Sequence, residues 1–326
     1  MIFNTGGRYS LFENDFTTKL KPLLIALSKK EAELHSILTE AISSGKTSSV
    51  YWNAVRRDIK IIYKDLNTLF VPWSETNIPP RYLMSVKQIQ HAISSSTIVD
   101  RPAKTLKDLL NTNATGQRVK LLYTDANLTF QTALLNGQKN IIQFTTLTQQ
   151  TLLSEQLIGQ TVAEGFITGN LRKSVDQLTG SLWSKLLQDV DDLHFVQAGK
   201  FKYTPSYYAE LVTRVKFHEA HSYATIDQCA NYDTDLVQIS SHNTTTHICI
   251  PFEGNVYSIS GTSKLFPPLF DTPPYHPNCL HLMYPTFISG MQADGTLDAY
   301  SDFSLGNIDR PPVPANFIPI SKRGVA

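Results

Sequence analysis

In Asp235-Leu-Val-Gln-Ile-Ser-Ser241 apolar and polar residues alternate, and a second run, Asn255-Val-Tyr-Ser-Ile-Ser260, reads as a strand as well. A period of two is the mark of a strand with one buried face. Just upstream the period is longer. Pro205 suits the first turn of a helix, and Tyr207, Leu211, Val212 and Val215 follow at three- and four-residue intervals, so a helix is expected from 205 to about 229. His247-Ile-Cys-Ile250 reads as another strand, joined to the second run around Glu253-Gly254-Asn255 as a β-hairpin. Pro267, Pro268, Pro273, Pro274 and Pro277 then predict rigid, irregular chain. Helix followed by strands, rather than the two interleaved, points to an α+β fold.

Further upstream the pattern is helical. Ser28-Lys-Lys-Glu31 is a capping-box sequence ahead of Ala32, Leu34, Ile37, Leu38, Ala41 and Ile42, with Gly45 as the stop. A second helix is expected from about Ser48 to a break at Pro72, with 72–82 as a connector (Pro72, Pro79, Pro80) and shorter helices at 83–94 and 103–111. Residues 117–168 read as a long helical stretch. Leu121, Leu128, Leu135 and Ile142 recur every seven residues there, but Thr and Gln occupy the alternate seam positions, so it is not a coiled-coil heptad. Another helix is expected at 175–187. The expected organisation is a mainly helical body over 1–204, a small α+β module over 205–285, and an extended Pro-containing tail over 286–326, with no internal repeat.

Composition narrows the class of protein. The 326 residues are 41% hydrophobic, enough for a core, and only 17% charged, against a typical ~25%. Uncharged polar residues fill the gap: sixteen of the residues from 129 to 161 are Thr, Gln or Asn. Such groups can be buried where they find hydrogen-bond partners, which suits packing against partner subunits. No apolar run approaches the ~18–20 residues that span a bilayer, and the N-terminus lacks the features of a signal peptide. Three cysteines suggest a reducing compartment rather than a disulfide framework. The net charge of +1 hides a balance of +7 over residues 1–149 (18 basic, 11 acidic) and −6 over 150–326 (11 basic, 17 acidic). The basic half suggests an acidic partner, either nucleic acid or a protein surface.

Chemistry concentrates near the C-terminal end. All three cysteines and six of the nine histidines lie within residues 218–281. His276-Pro-Asn-Cys279-Leu-His281 sits in the proline-stiffened loop, and His247-Ile-Cys249 lies upstream. One Cys and one His from each segment would give the four N/S ligands of a tetrahedral zinc site. The alternative is a packed, metal-free knot in which the thiols are small apolar side chains. Other motifs fall short. His218-Glu-Ala-His221 has its histidines three apart, where a zinc-protease helix needs four. Cys229 belongs to an apolar helix, Ser240-Ser241-His242 gains nothing from adjacency, and Asp189-Val-Asp-Asp192 is too poor in ligands for calcium. No catalytic residue is assigned.

The ordered series Tyr207-Tyr-Ala-Glu-Leu-Val-Thr-Arg214, Asp235–His242, Cys249-Ile-Pro-Phe-Glu-Gly254 through Gly261, Phe266-Pro-Pro-Leu269 and His276–His281 resembles the minor capsid and head-morphogenesis proteins of tailed phages, the phage Mu F-like group. The resemblance covers about 205–285. It implies a low-copy structural component of the virion head, made in the bacterial host cytoplasm and associated with the portal vertex or inner capsid. Portal protein, major capsid or scaffolding protein, and packaged double-stranded DNA would be its partners, with a role in head assembly and DNA packaging or delivery. Carried over from the family, the metal-ligand positions are Cys249, His276, Cys279 and His281, with His247 and His242 as alternates and zinc as the ion. Two departures stand out: a single Cys249 where members have a cysteine pair, and Leu280 where they have Arg. The competing reading is a metal-dependent hydrolase or nuclease built on the same cluster, with Asp235 or Glu253 as general base.

Overall fold

A computed structural model describes residues 6–94, 113–163, 193–293 and scattered positions between 173 and 190. The helix expected at 103–111, most of that at 175–187, and the expected tail beyond 293 lie outside the described residues, whereas Ile288–Ala293, expected as the start of that extended tail, form a short helix with Met291 buried. The order of elements is α1 (Gly6–Ser43), α2 (Ser49–Ser94), α3 (Asn113–Ala163), β1 (Val196–Ala198), β2 (Phe201–Tyr203), α4 (Pro205–Asn231), β3 (Leu236–Ile239), β4 (Val256–Ser258), β5 (Met283–Thr286) and α5 (Ile288–Ala293). The fold is α+β and mostly helical, with small antiparallel sheets toward the C-terminal end.

Helix ends follow local chemistry. α1 stops where Gly45 turns to φ 62° and its N–H reaches the Ile42 carbonyl at 3.0 Å. Ser48 caps α2 through its hydroxyl to the Tyr51 N–H (3.3 Å), and Thr204 caps α4 in the same way at Tyr207 (3.2 Å), with Pro205 in the first turn. Two expectations fail. α1 begins at Gly6, so Ser28–Glu31 lies inside a helix rather than at its start. α2 does not break at Pro72 but runs through Pro72, Pro79 and Pro80 to Ser94. Phe70, Ser74, Ile78 and Tyr82 are all fully buried across this segment, so tertiary packing holds the helix where proline removes backbone bonds.

The chain forms two compact units, each assembled from separate segments. One comprises Leu20–Trp73 and Asn127–Glu210. Its core takes Leu27, Leu34 and Leu38 from α1, Trp52, Ile59, Leu66 and Phe70 from α2, and Phe130, Leu134 and Ile141 from α3. Phe70 and Phe130 stack with centroids 4.1 Å apart. The β1–β2 hairpin, which turns through Gly199 at φ 59°, packs Phe195 beside His35, and the Tyr63 hydroxyl donates to the Phe195 carbonyl at 2.7 Å. The uncharged polar residues of α3 are partly used here. Thr145 and Thr148 are buried, Arg56 donates to Thr145 and to Gln149 (2.7 Å), and Gln149 donates to the Thr47 carbonyl.

The other unit contains Ser74–Ala126 and the chain from Leu211 onward. Asp227 on α4 gathers the Tyr82 hydroxyl (2.5 Å), the Thr115 hydroxyl (3.3 Å) and the Arg118 guanidinium, which links α2, α3 and α4. The sheet has the order β4-β3-β5, all antiparallel, with Val237 opposite Tyr257 on one side and Pro285 on the other. Pro285 is tolerated because β5 is an edge strand. Ile226 and Cys229 from α4 pack with Val237, Ile239, Tyr257, Ile259, Leu269 and Met283 to form the core. The strand expected at 247–250 is absent: these residues form turns, and the expected local hairpin becomes a β3–β4 pairing across a long loop. Both sides of β3 are already taken, and Ile248 and Ile250 face solvent while only Cys249 points inward.

Candidate metal centre

Two irregular segments of this second unit converge beside the sheet: the 240–255 loop between β3 and β4, and the chain leading into β5. In the first, the Cys249 N–H bonds the Thr246 carbonyl at 2.9 Å and the Phe252 N–H bonds the Cys249 carbonyl at 3.0 Å, so consecutive turns carry the thiol inward. Gly254 at φ 74° then lets the chain enter β4. In the second, His276-Pro277-Asn278-Cys279 is a β-turn closed by the Cys279 N–H on the His276 carbonyl at 2.9 Å. Proline in the second position presets that turn and sets His276 and Cys279 side by side.

The ligand atoms of Cys249, His276 and Cys279 all lie within 4.8 Å of one another. Cys249 and Cys279 are fully buried and His276 is half-buried. His281, also fully buried, directs Nδ1 at the Cys279 sulfur at 3.5 Å but stands outside the set of three. The two alternates are not in that set either. His247 is exposed on its turn, and His242 bonds the Ser240 hydroxyl at 2.8 Å, its ring 5.1 Å from that of His281. The Ser240 hydroxyl also accepts the Leu282 N–H at 2.9 Å, which ties the two segments together. Phe252 stacks on Tyr275 at 4.1 Å, joining the loop that carries Cys249 to the one that carries His276.

Charge around the cluster is arranged by Glu253. Its carboxylate accepts the backbone N–H groups of His242 and Thr244 (3.0 and 3.2 Å to the latter), pinning the loop. Burial opposes its ionisation, but these backbone donors outweigh burial and hold its carboxyl below the ordinary range. Burial pushes the Cys249 thiol up to about 11, reinforced by the neighbouring Cys279, so in the absence of a cation this thiol is protonated. Burial lowers His281 and His242 as well, which keeps both imidazoles neutral and able to accept a metal or a proton. The atoms that converge are two thiols and the one imidazole of His276, ligand types that occur in N/S metal sites.

Other residues singled out from the sequence serve the scaffold. Asp235 takes the Ser258 hydroxyl and the Ser260 N–H (2.7 Å), so its carboxylate is occupied in holding the turn after β4. His218 and His221 are buried on α4, with His221 Nε2 at 3.2 Å from the Met283 carbonyl. Cys229 packs in the core against the Leu236 carbonyl. The sequence offered Ser240 only as a hydroxyl near His242 and not as the tie between the two segments, and it did not single out the Phe252–Tyr275 stack, because aromatic residues near a loop carry no spacing signal.

The sequence pattern of phage minor capsid protein 2 matches residues 125–299, more than half the chain, from within α3 to just past α5 and across the whole Cys/His cluster. The chain belongs to that family. It is accordingly a structural component of a phage capsid, located in the virion and interacting with other head components. The resemblance drawn from 205–285 thus holds at the level of a phage minor capsid protein, and the matching region begins some eighty residues earlier, on a helix whose composition alone gave no such indication. No curated protein and no solved structure is detectably similar to the chain. Among the described residues, no helix is long and apolar enough to cross a membrane.

Proposed function

We propose that this minor capsid protein docks on the portal vertex or the adjoining inner capsid during head assembly, and that its basic N-terminal half faces packaged DNA. The observation that supports docking is a row of leucines on α3. Leu128 and Leu135, spaced by seven, are 60% and 57% exposed, and Leu147 and Leu157 continue the apolar character toward the end of the helix. Repeated large apolar groups left in water along one long helix are what a partner surface covers. The Thr and Gln residues between them offer hydrogen bonds without the desolvation cost of charges.

Co-purification with the cognate portal protein at low and then high salt tests this reading. A stoichiometric, salt-resistant complex is the expected result, and a monomer that binds neither portal nor capsid would refute it. The enzymatic alternative needs a free general base near the cluster. Asp235 and Glu253 both spend their carboxylates on backbone N–H groups, which favours the structural reading.

A further inference from the structure

We propose that the cleft between α2 and α3 receives an acidic segment of another head protein, held by Lys60 and Lys64. The two helices run antiparallel here. Thr47 donates to Gln156 at 2.7 Å, Arg56 donates to Gln149 at 2.7 Å, and Phe70 stacks on Phe130 at 4.1 Å. At the first two of these contacts, polar side chains close the seam by bonding one another across the helices. Between Arg56 and Phe70 the seam opens instead into a cleft of about 300 Å³. Lys60, Lys64 and Asn67 line it from α2, and Gln131, Leu135 and Gln138 from α3. Both sets are spaced i, i+4, i+7, so each is one face of a helix, two turns long.

The polar groups of this stretch are left open. Among the described residues, the side chains of Lys60, Lys64, Gln131 and Gln138 make no hydrogen bond or ion pair. Other cations of the same unit are paired, Lys30 with Asp65 and Arg57 with Asp58. Asn67 Oδ1 is buried without a hydrogen bond, and only a donor brought from outside relieves it. Lys60 and Lys64 stand one turn apart on one face, so a carboxylate between them meets two cations. Leu135, 57% exposed, belongs both to this cleft and to the row with Leu128, so whatever covers the row reaches the lysines. The cleft therefore asks for negative charge, an N–H donor and an apolar contact together. An acidic stretch of polypeptide supplies all three. A nucleic-acid backbone supplies the charge, but phosphate oxygens only accept hydrogen bonds, and they leave Leu135 without an apolar partner. The choice of a head protein as the source of the segment rests on the docking role proposed for the chain, but not on portal being the protein docked.

The test is chemical footprinting of assembled heads that contain the full chain. A water-soluble carbodiimide should join Lys60 or Lys64 to an Asp or Glu of another head protein, read by mass spectrometry of the linked peptides. Both lysines should also be acetylated more slowly in heads than in the free chain. Replacing them together, Lys60→Gln and Lys64→Gln, should lower affinity for the linked protein by at least about tenfold. Thermal stability should stay unchanged, since both side chains are exposed. Equal acetylation in heads and in the free chain would overturn the proposal. Protection without a cross-link to another head protein would overturn it as well, and loss of that protection in heads emptied of DNA would assign the cleft to nucleic acid. A portal complex in which both lysines react freely would leave docking intact and remove only the acidic segment. A cross-link to a different head protein, with no portal binding, would keep the segment and remove portal.

Discussion

At Gly137 a single methyl group would meet the Phe195 carbonyl oxygen at 1.9 Å and the carbonyl carbon at 2.7 Å. Backbone cannot yield as a flexible side chain can, so α3 and the start of the β1–β2 hairpin touch only because this helix position has no side chain. Gly137→Ala, normally favourable in a helix, should instead destabilise the protein by about 1–3 kcal/mol, seen as a lower urea midpoint. Tyr63→Phe removes the hydroxyl that donates to the same carbonyl and should cost about 1 kcal/mol. His221 makes a pH-dependent contribution. Burial lowers its pKa to about 3, below the unfolded value near 6.5. The unfolded state therefore binds the extra proton between those limits, and stability falls as pH drops from about 6.5 toward 3, by about 1.4 kcal/mol per pH unit. Comparing denaturation midpoints of wild type and His221→Gln at pH 7 and pH 5 isolates this group; a smaller acid loss in the variant is expected. At this scale the sequence was informative where residue types are rare. Counting narrowed the search to residues 218–281, because histidines and cysteines are few, but the set Cys249, His276, Cys279 and His281 came from the family resemblance, and the structure brings Cys249, His276 and Cys279 together without His281. Gly137 was silent, since its partner lies 58 positions away and no local pattern names it.

Secondary-structure elements were legible wherever local chemistry and packing agree. Gly45, Ser48 and Pro205 mark real helix ends because a cap or a left-handed turn forms at each. Pro72 misled. Trp73 and Ser74 mark the boundary between the two compact units, so the proline coincides with a division of the molecule but not with the end of α2. Alternation at 247–250 misled for another reason: a strand needs a neighbour, and the edges of β3 were already spoken for. The exposed leucines of α3 yield a prediction that belongs to this scale. Replacing Leu128 and Leu135 with Glu should shift thermal stability little, since both side chains are already in water. The same pair of changes should weaken capture of portal protein by at least about tenfold if the row is the contact surface. Unchanged capture would direct attention to another face.

For the molecule as a whole, the charge asymmetry between the halves is a property of sequence that the fold redistributes, because the units are not the halves. Exposed Lys60 and Lys64 nevertheless remain adjacent on α2, flanking a cleft of about 300 Å³ with Gln131 and Gln138. If this face meets packaged DNA, affinity should fall steeply with salt. Removing both lysines should then make the plot of log K against log salt shallower, by about 0.9 for every phosphate the two side chains neutralise. A flat salt response in the wild type would remove DNA from the list of partners. A phage minor capsid protein was legible from scattered motifs between 205 and 285, whose order and content of rare residues (Cys, His, Pro, Gly) make the series specific. The long helices upstream were less distinctive, since many sequences satisfy an apolar stripe.

The interleaving of the two units has a consequence for synthesis. One unit opens with Leu20 but is completed only at Glu210, and the other draws on Ser74–Ala126 yet needs the chain beyond Leu211. Neither can finish folding while its later segments are still inside the ribosome, so the emerging helices must wait, partly uncovered, for most of translation. Expressed as separate pieces cut near residue 127, the polypeptide should yield two insoluble fragments rather than two domains. Co-expression of those pieces is the condition under which soluble material should return.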